Sequence, residues 1–432
     1  MIIRDIRMVS LMRHPVFFNV LGVFLLMLSS VSAAAQVFVF SEEIDTPAAL
    51  NAEGPSLAIM PDGRVLMSWI ETDGPVHAAV RTAILDGSEW SQPVTVVEGD
   101  DLFINYADFP LVAALPDGTL AINWSRMNGD SYYAYDTNIS LSQDNGATWG
   151  AGIVPQRDGT ERQHGFVSMV PDGSGGIMAM WLDGRNHDTG DSQSAAEAGE
   201  DAMQLRATTL AANGELAKEV LLDDRTCTCC QTTAVALDDG TVLLAYRDRT
   251  VDEIRDISLV RQVDGVWSEP VGISGDGWEI SGCPVNGPAI DAHGSRVALV
   301  WFTAANGIPA VKMAFSDDQG ASFGQPMGID LGAPFGGVDV VQLSDGTALF
   351  SWVERSAAGE AVLVCRATPP NGCGTPVALT LVRTGRTIGF PRMVASGADV
   401  WIAWNETSRE TGGRAAGAVI VRLAHATVEL VQ

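Results

Sequence analysis

The chain has 432 residues, 26 basic and 53 acidic side chains, and a formal net charge of −27. That acidic excess argues against non-specific binding to nucleic acid or anionic membranes, where basic patches supply the affinity. Hydrophobic residues at 46% and charged residues at 18% mark a globular chain, not a disordered one.

Residues 1–35 read as a secretory signal peptide. Arg4, Arg7 and Arg13 form a positive n-region, Val16 to Leu28 is apolar, and Ala33-Ala34-Ala35 offers a cleavage site. Removal leaves a mature chain of about 397 residues with a charge of −29. No second apolar run reaches the roughly 18 residues of a membrane span. The expectation is an exported protein, periplasmic or extracellular, with residues 36–432 as one domain.

One pattern then recurs: an apolar strand, a tight turn, and a second strand ending in an aromatic. The copies run Pro55–Trp69, Pro110–Trp124, Gly165–Trp181, Gln231–Tyr246, Gly287–Trp301, Gly337–Trp352 and Phe390–Trp404. Their turn glycines are Gly63, Gly118, Gly173, Gly240, Gly294, Gly346 and Gly397, spaced 55, 55, 67, 54, 52 and 51 residues apart. Asp-Gly is a hairpin signal because glycine supplies the positive φ of the turn. A third and often a fourth strand follow each hairpin, as in His77–Leu85 and Trp90–Val97. Four strands per unit of about 50 residues predict an all-β fold, a β-propeller. The copies number seven, with six blades as the alternative count. Val37–Glu43, which has no hairpin of its own, is expected to complete the last blade and remove its edge. The one long spacing holds an insertion, Asp183 to Asp201, expected to overhang the channel mouth as a polar loop. Its Asp and His content suggests Ca²⁺, but its spacing matches no EF-hand.

Six cysteines are present. Cys365 and Cys373 flank a turn sequence and are expected to form a local disulfide. Cys227, Cys229, Cys230 and Cys283 open blades four and five, which places them near one another. Two readings stay open. One has disulfides pinning this face, a vicinal Cys229–Cys230 bridge among them. The other is a soft-metal or redox site of thiolates, with His164 as a further ligand and Cu(I) or Zn as the ion. The fold itself requires no cofactor.

Arg247-Asp248-Arg249 and Arg255-Asp256 follow the second strand of blade four. Alternation puts Arg247 and Arg249 on one side of the strand and Asp248 on the other. This reads either as a salt-bridge lattice or as an anion-binding corner, with Asn286 and His164 among the polar blade openings nearby.

Between strands three and four, blade two carries Ser142-Gln-Asp144-Asn-Gly146-Ala-Thr-Trp149, and blade five carries Ser316-Asp-Asp318-Gln-Gly320-Ala-Ser-Phe323. These match the Asp-box S-x-D-x-G-x-T-W, and within a propeller repeat they resemble the sialidase (neuraminidase, BNR-repeat) superfamily. The resemblance covers nearly all of the mature chain. It implies ligand sites on the face opposite the Asp-boxes. It also implies three arginines on a carboxylate, the first in an F/Y-R-I-P motif, with an Asp acid/base and a Tyr nucleophile assisted by Glu. Here the first blade opens as Glu53-Gly-Pro-Ser-Leu57, with no arginine, and other openings read Asp108-Phe-Pro110 and Phe390-Pro-Arg392. Tyr246 is the candidate nucleophile, and Asp108, Asp183 and Glu354 are candidate acid/base carboxylates. A narrower resemblance, to exported bacterial sialidase-like proteins, rests on Cys227-Thr-Cys-Cys-Gln231, Tyr246–Arg249, Glu253–Ile257, Ser281–Pro288 and Trp301–Ala305. The missing arginine leads to the expectation of a binding protein for a glycan, a small anionic ligand, a metal or a protein partner. The alternative is an exo-sialidase with a rearranged site.

Overall fold

In the tight turns the aspartate before the glycine folds back on its own backbone. Asp62, Asp117, Asp239 and Asp345 each accept the amide of the residue two positions on, at 3.2, 2.9, 2.9 and 2.9 Å. The following glycines take positive φ, for example +87° at Gly63 and +90° at Gly118. Each turn therefore closes a hairpin of the first two strands of a sheet.

The computed structural model describes residues 40, 42–187, 202–357, 359–382, 389–407 and 419–430. The predicted signal segment, most of Val37–Glu43 and most of the Asp183–Asp201 insertion lie outside the described residues.

Seven antiparallel sheets follow in chain order. Their innermost strands are Ala52–Ile59, Val112–Ala114, His164–Pro171, Thr233–Ala236, Ala289–His293, Pro334–Gln342 and Arg392–Ser396. Each touches the next, and the seventh touches the first. The fold is a seven-bladed β-propeller, and the count of six falls away. Glu42–Ile44 pairs with Val419–Thr427, the third strand of the last blade, so the chain's two ends share one sheet. Blade two departs from the four-strand pattern. It has three paired strands, and the fourth shrinks to an isolated bridge between Ile139 and Ile153. Among the described residues the one helical element is a 3₁₀ turn at Ala305–Gly307, and no helix is long and apolar enough to cross a membrane.

Central strands are buried on both faces because blades stack face to face, so they read as apolar runs without alternation. Ile177–Asp183 and Val242–Arg247 are buried at every residue. The recurring aromatics Trp69, Trp181, Tyr246, Trp301 and Trp352 fill the spaces between blades and are all fully buried. Replacing one by alanine is expected to cost about 3–5 kcal/mol.

The two Ser-x-Asp segments form the same turn. Ser142 Oγ donates to Asp144 Oδ1 at 2.8 Å, while Asp144 accepts the Thr148 amide at 2.9 Å and Gly146 has φ +75°. Trp149 Nε1 reaches Thr82 of blade one at 3.1 Å. Ser316, Asp318 and Gly320 repeat the geometry, with φ +72° at Gly320, and Phe323 packs into the core between blades four and five. These bonds hold the Asp144 and Asp318 carboxyls down at about 2. Gln319 donates to Asp239, so this segment lies on the hairpin-turn face.

Candidate functional site

The mouth face, where innermost strands begin and second strands end, holds nearly all the polar residues singled out above. Below it the channel opens into a cavity of about 310 Å³. Its polar lining has a regular purpose: a side chain of one blade accepts a backbone amide of the next. Ser56 accepts Val112 N at 3.3 Å, Asp291 accepts Gln342 N at 2.7 Å, and Asp339 accepts Met393 N at 2.6 Å. Ser168 and Thr232 bond each other at 2.7 Å. Burial pushes Asp291 up to about 7, against its amide donors.

The same device recurs at the mouth and absorbs two predicted site residues. Asp108 Oδ1 accepts Phe166 N at 2.9 Å, and Oδ2 accepts the Tyr135 hydroxyl at 2.7 Å. Burial pushes Asp108 up to about 6, and the two donors pull the other way. Gly165 is obligatory here, because a Cβ would stand 2.0 Å from Asp108 Oδ2. Asn286 Oδ1 accepts Gly337 N at 3.0 Å, and Gln231 reaches both Ala107 O at 2.7 Å and Gly287 N at 3.1 Å.

The other carboxylate candidates serve the buried aromatics. Trp181 Nε1 donates to Asp183 at 2.8 Å, and Trp352 Nε1 donates to Glu354 at 2.7 Å. Glu354 also accepts Ala333 N at 2.6 Å. Asp108, Asp183 and Glu354 sit in blades two, three and six, each buried with internal partners.

Tyr246 has similar surroundings. It is fully buried between blades three and four and its hydroxyl donates to Asp223. Burial and that neighbouring carboxylate push the phenol far above its usual range, the reverse of an activated nucleophile.

The blade-four corner is a lattice that offers no guanidinium to solvent. Arg247 leaves the strand to donate to three carbonyls, of Asn286 at 2.8 Å, Arg255 at 2.6 Å and Phe302 at 2.6 Å, and lies 4.8 Å over the Trp278 ring. Burial lowers its pKa from the usual arginine range. Arg249 and Arg255 instead grip one carboxylate, Glu253, each at 2.6 Å. Asp248 accepts Arg249 N and the Ser258 hydroxyl. The expected anion site at Arg247, Asp248, Arg249 and Arg255 is therefore filled by the protein's own groups.

His164 is fully buried and turns away from the cysteines. Its Nδ1 meets Asp136 at 3.0 Å and its Nε2 meets Asp158 at 3.1 Å, with Asp183 at 3.9 Å. Burial opposes its charge, but bonds to Asp136 and Asp158 and the field of Asp183 outweigh it, pushing His164 up to about 9. Asp158, His164 and Asp183 are spaced like metal ligands. Arg185 already fills that role, 2.6 Å from Asp183, 3.1 Å from Asp158 and 2.7 Å from Glu219.

The cysteines do converge. Cys227 N bonds Arg247 O at 3.0 Å, which brings their loop against the arginine corner. Cys227 pairs with Cys230 and Cys229 with Cys283, so no vicinal bridge forms. Cys365 pairs with Cys373 as expected. Sequence reasoning missed Tyr135, whose partner Asp108 lies 27 residues away. It also missed Tyr132 and Tyr133, which join Tyr106, a polar blade-opening residue already visible in the sequence, as exposed tyrosines at the mouth of blade two. Tyr106 is 55%, Tyr132 57% and Tyr133 36% exposed. Tyr132 packs edge-on to Phe103 at 5.4 Å and to Tyr133 at 5.0 Å.

No family model and no curated protein matches this sequence. Similar solved structures include a protein of unknown function from Dyadobacter fermentans, at 14% identity and a TM-score of 0.52, covering 90% of this chain and 98% of that one. The polysaccharide lyase Uly1 follows at 10% identity and 0.50, covering 91% and 94%. The Hadza microbial sialidase Hz136 shows 12% identity and 0.45, covering 82% and 74%. At these identities the likeness is one of architecture alone, shared over nearly the whole of each chain.

Proposed function

We propose that this chain is an exported propeller that binds a neutral carbohydrate at its mouth face without hydrolysing it. One contrast carries the reading. The carboxylates, phenol and guanidinia that sialidase chemistry would draw on are bound inside the protein, while Tyr106, Tyr132 and Tyr133 stand exposed on the loops of blade two. Tyrosine combines a flat apolar face, suited to a sugar ring, with a polar tip. A neutral sugar fits better than an anionic one. The chain is strongly acidic, and two of the arginines on this face, Arg126 and Arg355, are paired with Asp101 and Glu360 at 3.3 and 3.0 Å. The leader-like first 35 residues and the three disulfides support export.

A glycan array probed with the full chain and with Tyr132→Ala/Tyr133→Ala tests this. Neutral glycans are expected to be retained by the first and released by the second. A second reading has one observation behind it. Tyr135 donates to Asp108 at 2.7 Å, and Asp108 shares a small cavity with Arg392, whose Nε has no partner among the described residues. A hydrolase using that pair would cleave a fluorogenic sialoside, and Asp108→Asn would abolish the cleavage.

A further inference from the structure

The C-x-C-C segment is held in place by more than its sulfurs. Cys227 N donates to Arg247 O, Gln163 Nε2 donates to Thr228 O at 3.1 Å, and Gln231 ties the following residue to blades two and five. The segment bearing Cys283 is fixed in the same way, through Asn286 to Pro284 O at 3.1 Å and to Gly337 N. The backbone thus keeps both segments together independently of the disulfides.

The donor atoms converge on one point. The Sγ atoms of Cys227, Cys229 and Cys230 lie within 4.8 Å of one another, and Cys283 is bonded to Cys229. Cys227 Sγ and Cys229 Sγ, which belong to different bridges, are 3.9 Å apart. Thiolates at about 2.3 Å from one tetrahedral ion sit about 3.8 Å from each other. Among the described residues no His, Asp or Glu joins this cluster. An all-sulfur donor set selects soft ions over calcium, magnesium or manganese. Cys283 is exposed and Cys229 half-buried, whereas Cys227 and Cys230 are buried, so the cluster has an entrance and a closed floor.

We propose that Cys227, Cys229, Cys230 and Cys283, once reduced, form a binding site for one soft metal ion, copper(I) by class. The two disulfides are its closed state. A dithiol opens it by attacking Cys283 Sγ. The mixed disulfide releases the Cys229 thiolate, and the second thiol of the reductant then frees Cys283 and leaves the reductant oxidised to a disulfide. The Cys229 thiolate attacks Cys227 Sγ and displaces Cys230, which moves the remaining bridge outward to Cys227–Cys229. A second dithiol reduces that bridge. Four electrons and four protons enter in all, and the ion displaces thiol protons as it binds.

The test is an anaerobic titration with copper(I) held by a competing chromophoric chelator. The full protein is first reduced with a phosphine, and its fold is followed by near-ultraviolet circular dichroism. Reduced protein is expected to take one copper(I) per chain, and oxidised protein none. Cys229→Ser/Cys283→Ser and the milder Cys230→Ser should each weaken binding at least tenfold, and Cys365→Ser/Cys373→Ser should leave it unchanged. X-ray absorption should show sulfur neighbours alone. Failure of the reduced protein to take copper, binding insensitive to these cysteines, nitrogen or oxygen in the metal's shell, or loss of the fold on reduction would each overturn the proposal.

Discussion

At the scale of single residues, in three blades an acid two positions after a buried tryptophan is an acceptor for the indole; in the last blade Glu406 follows Trp404 at the same spacing, yet that indole has no partner among the described residues. The three bonded pairs are Trp69 and Glu71, Trp181 and Asp183, and Trp352 and Glu354, at 2.8, 2.8 and 2.7 Å. Residues i and i+2 of a strand share a face, so the acid is drawn inward by the indole N–H. Glu354→Ala should therefore leave the Trp352 indole and the Ala333 amide unpaired and cost about 1–3 kcal/mol in urea unfolding. An unchanged midpoint would instead point to an active-site role for Glu354. This pattern was visible in the sequence, as Trp-x-Glu and Trp-x-Asp. Tyr135 and Asp108 were not legible in that way, because no local spacing joins them.

Blade openings bring their polar side chains to the next blade, and this is why they resemble a binding site in sequence. Asp108, Asn286 and Gln231 point at backbone amides and carbonyls whose positions depend on how neighbouring blades stack. His164 does the same with charge, joining blade three to Asp136 and Asp158 of blade two and its linker. Its folded pKa of about 9 lies above the ordinary 6.5, so its contribution is complete below about pH 6.5 and is lost as the pH rises toward 9. The difference corresponds to about 3 kcal/mol. Asp108 and Asp223, raised to about 6, are mostly ionised by pH 7, whereas Asp291, raised to about 7, still titrates at the lower end of that window and lowers stability in the same direction as the pH rises. Thermal melts should show the midpoint falling between pH 7 and 9, and His164→Gln should flatten the slope. A midpoint that rises over this range in the unaltered protein would refute the assignment.

For the molecule as a whole, the number of blades was legible because two physical demands repeat with every blade. A tight hairpin needs its glycine, and a strand stacked on both faces needs an apolar run ending in a large aromatic. The closure was legible for a related reason: the sequence of Val37–Glu43 reads as a strand with no hairpin of its own. The observed closing strand, Glu42–Ile44, covers the edge of Val419–Thr427. A chain that begins at Asp45 should expose that edge, melt at least ~2 °C lower and form oligomers in light-scattering chromatography. An unaltered monomer with an unaltered melt would mean that the ring closes without this strand. Of the mouth-face tyrosines, Tyr106 was legible as a blade opening, whereas Tyr132 and Tyr133 went unread because exposure follows from how loops settle on the finished ring, and no periodicity announces it.

The most direct measurement is the glycan array with the full chain and its Tyr132→Ala/Tyr133→Ala variant, run beside a fluorogenic sialoside assay. Retention of neutral glycans that falls at least tenfold in the variant, with an unchanged melting temperature and no cleavage of the sialoside, is the predicted result. Equal retention by both proteins, retention by neither, or cleavage that disappears in Asp108→Asn would contradict a carbohydrate-binding, non-hydrolytic propeller.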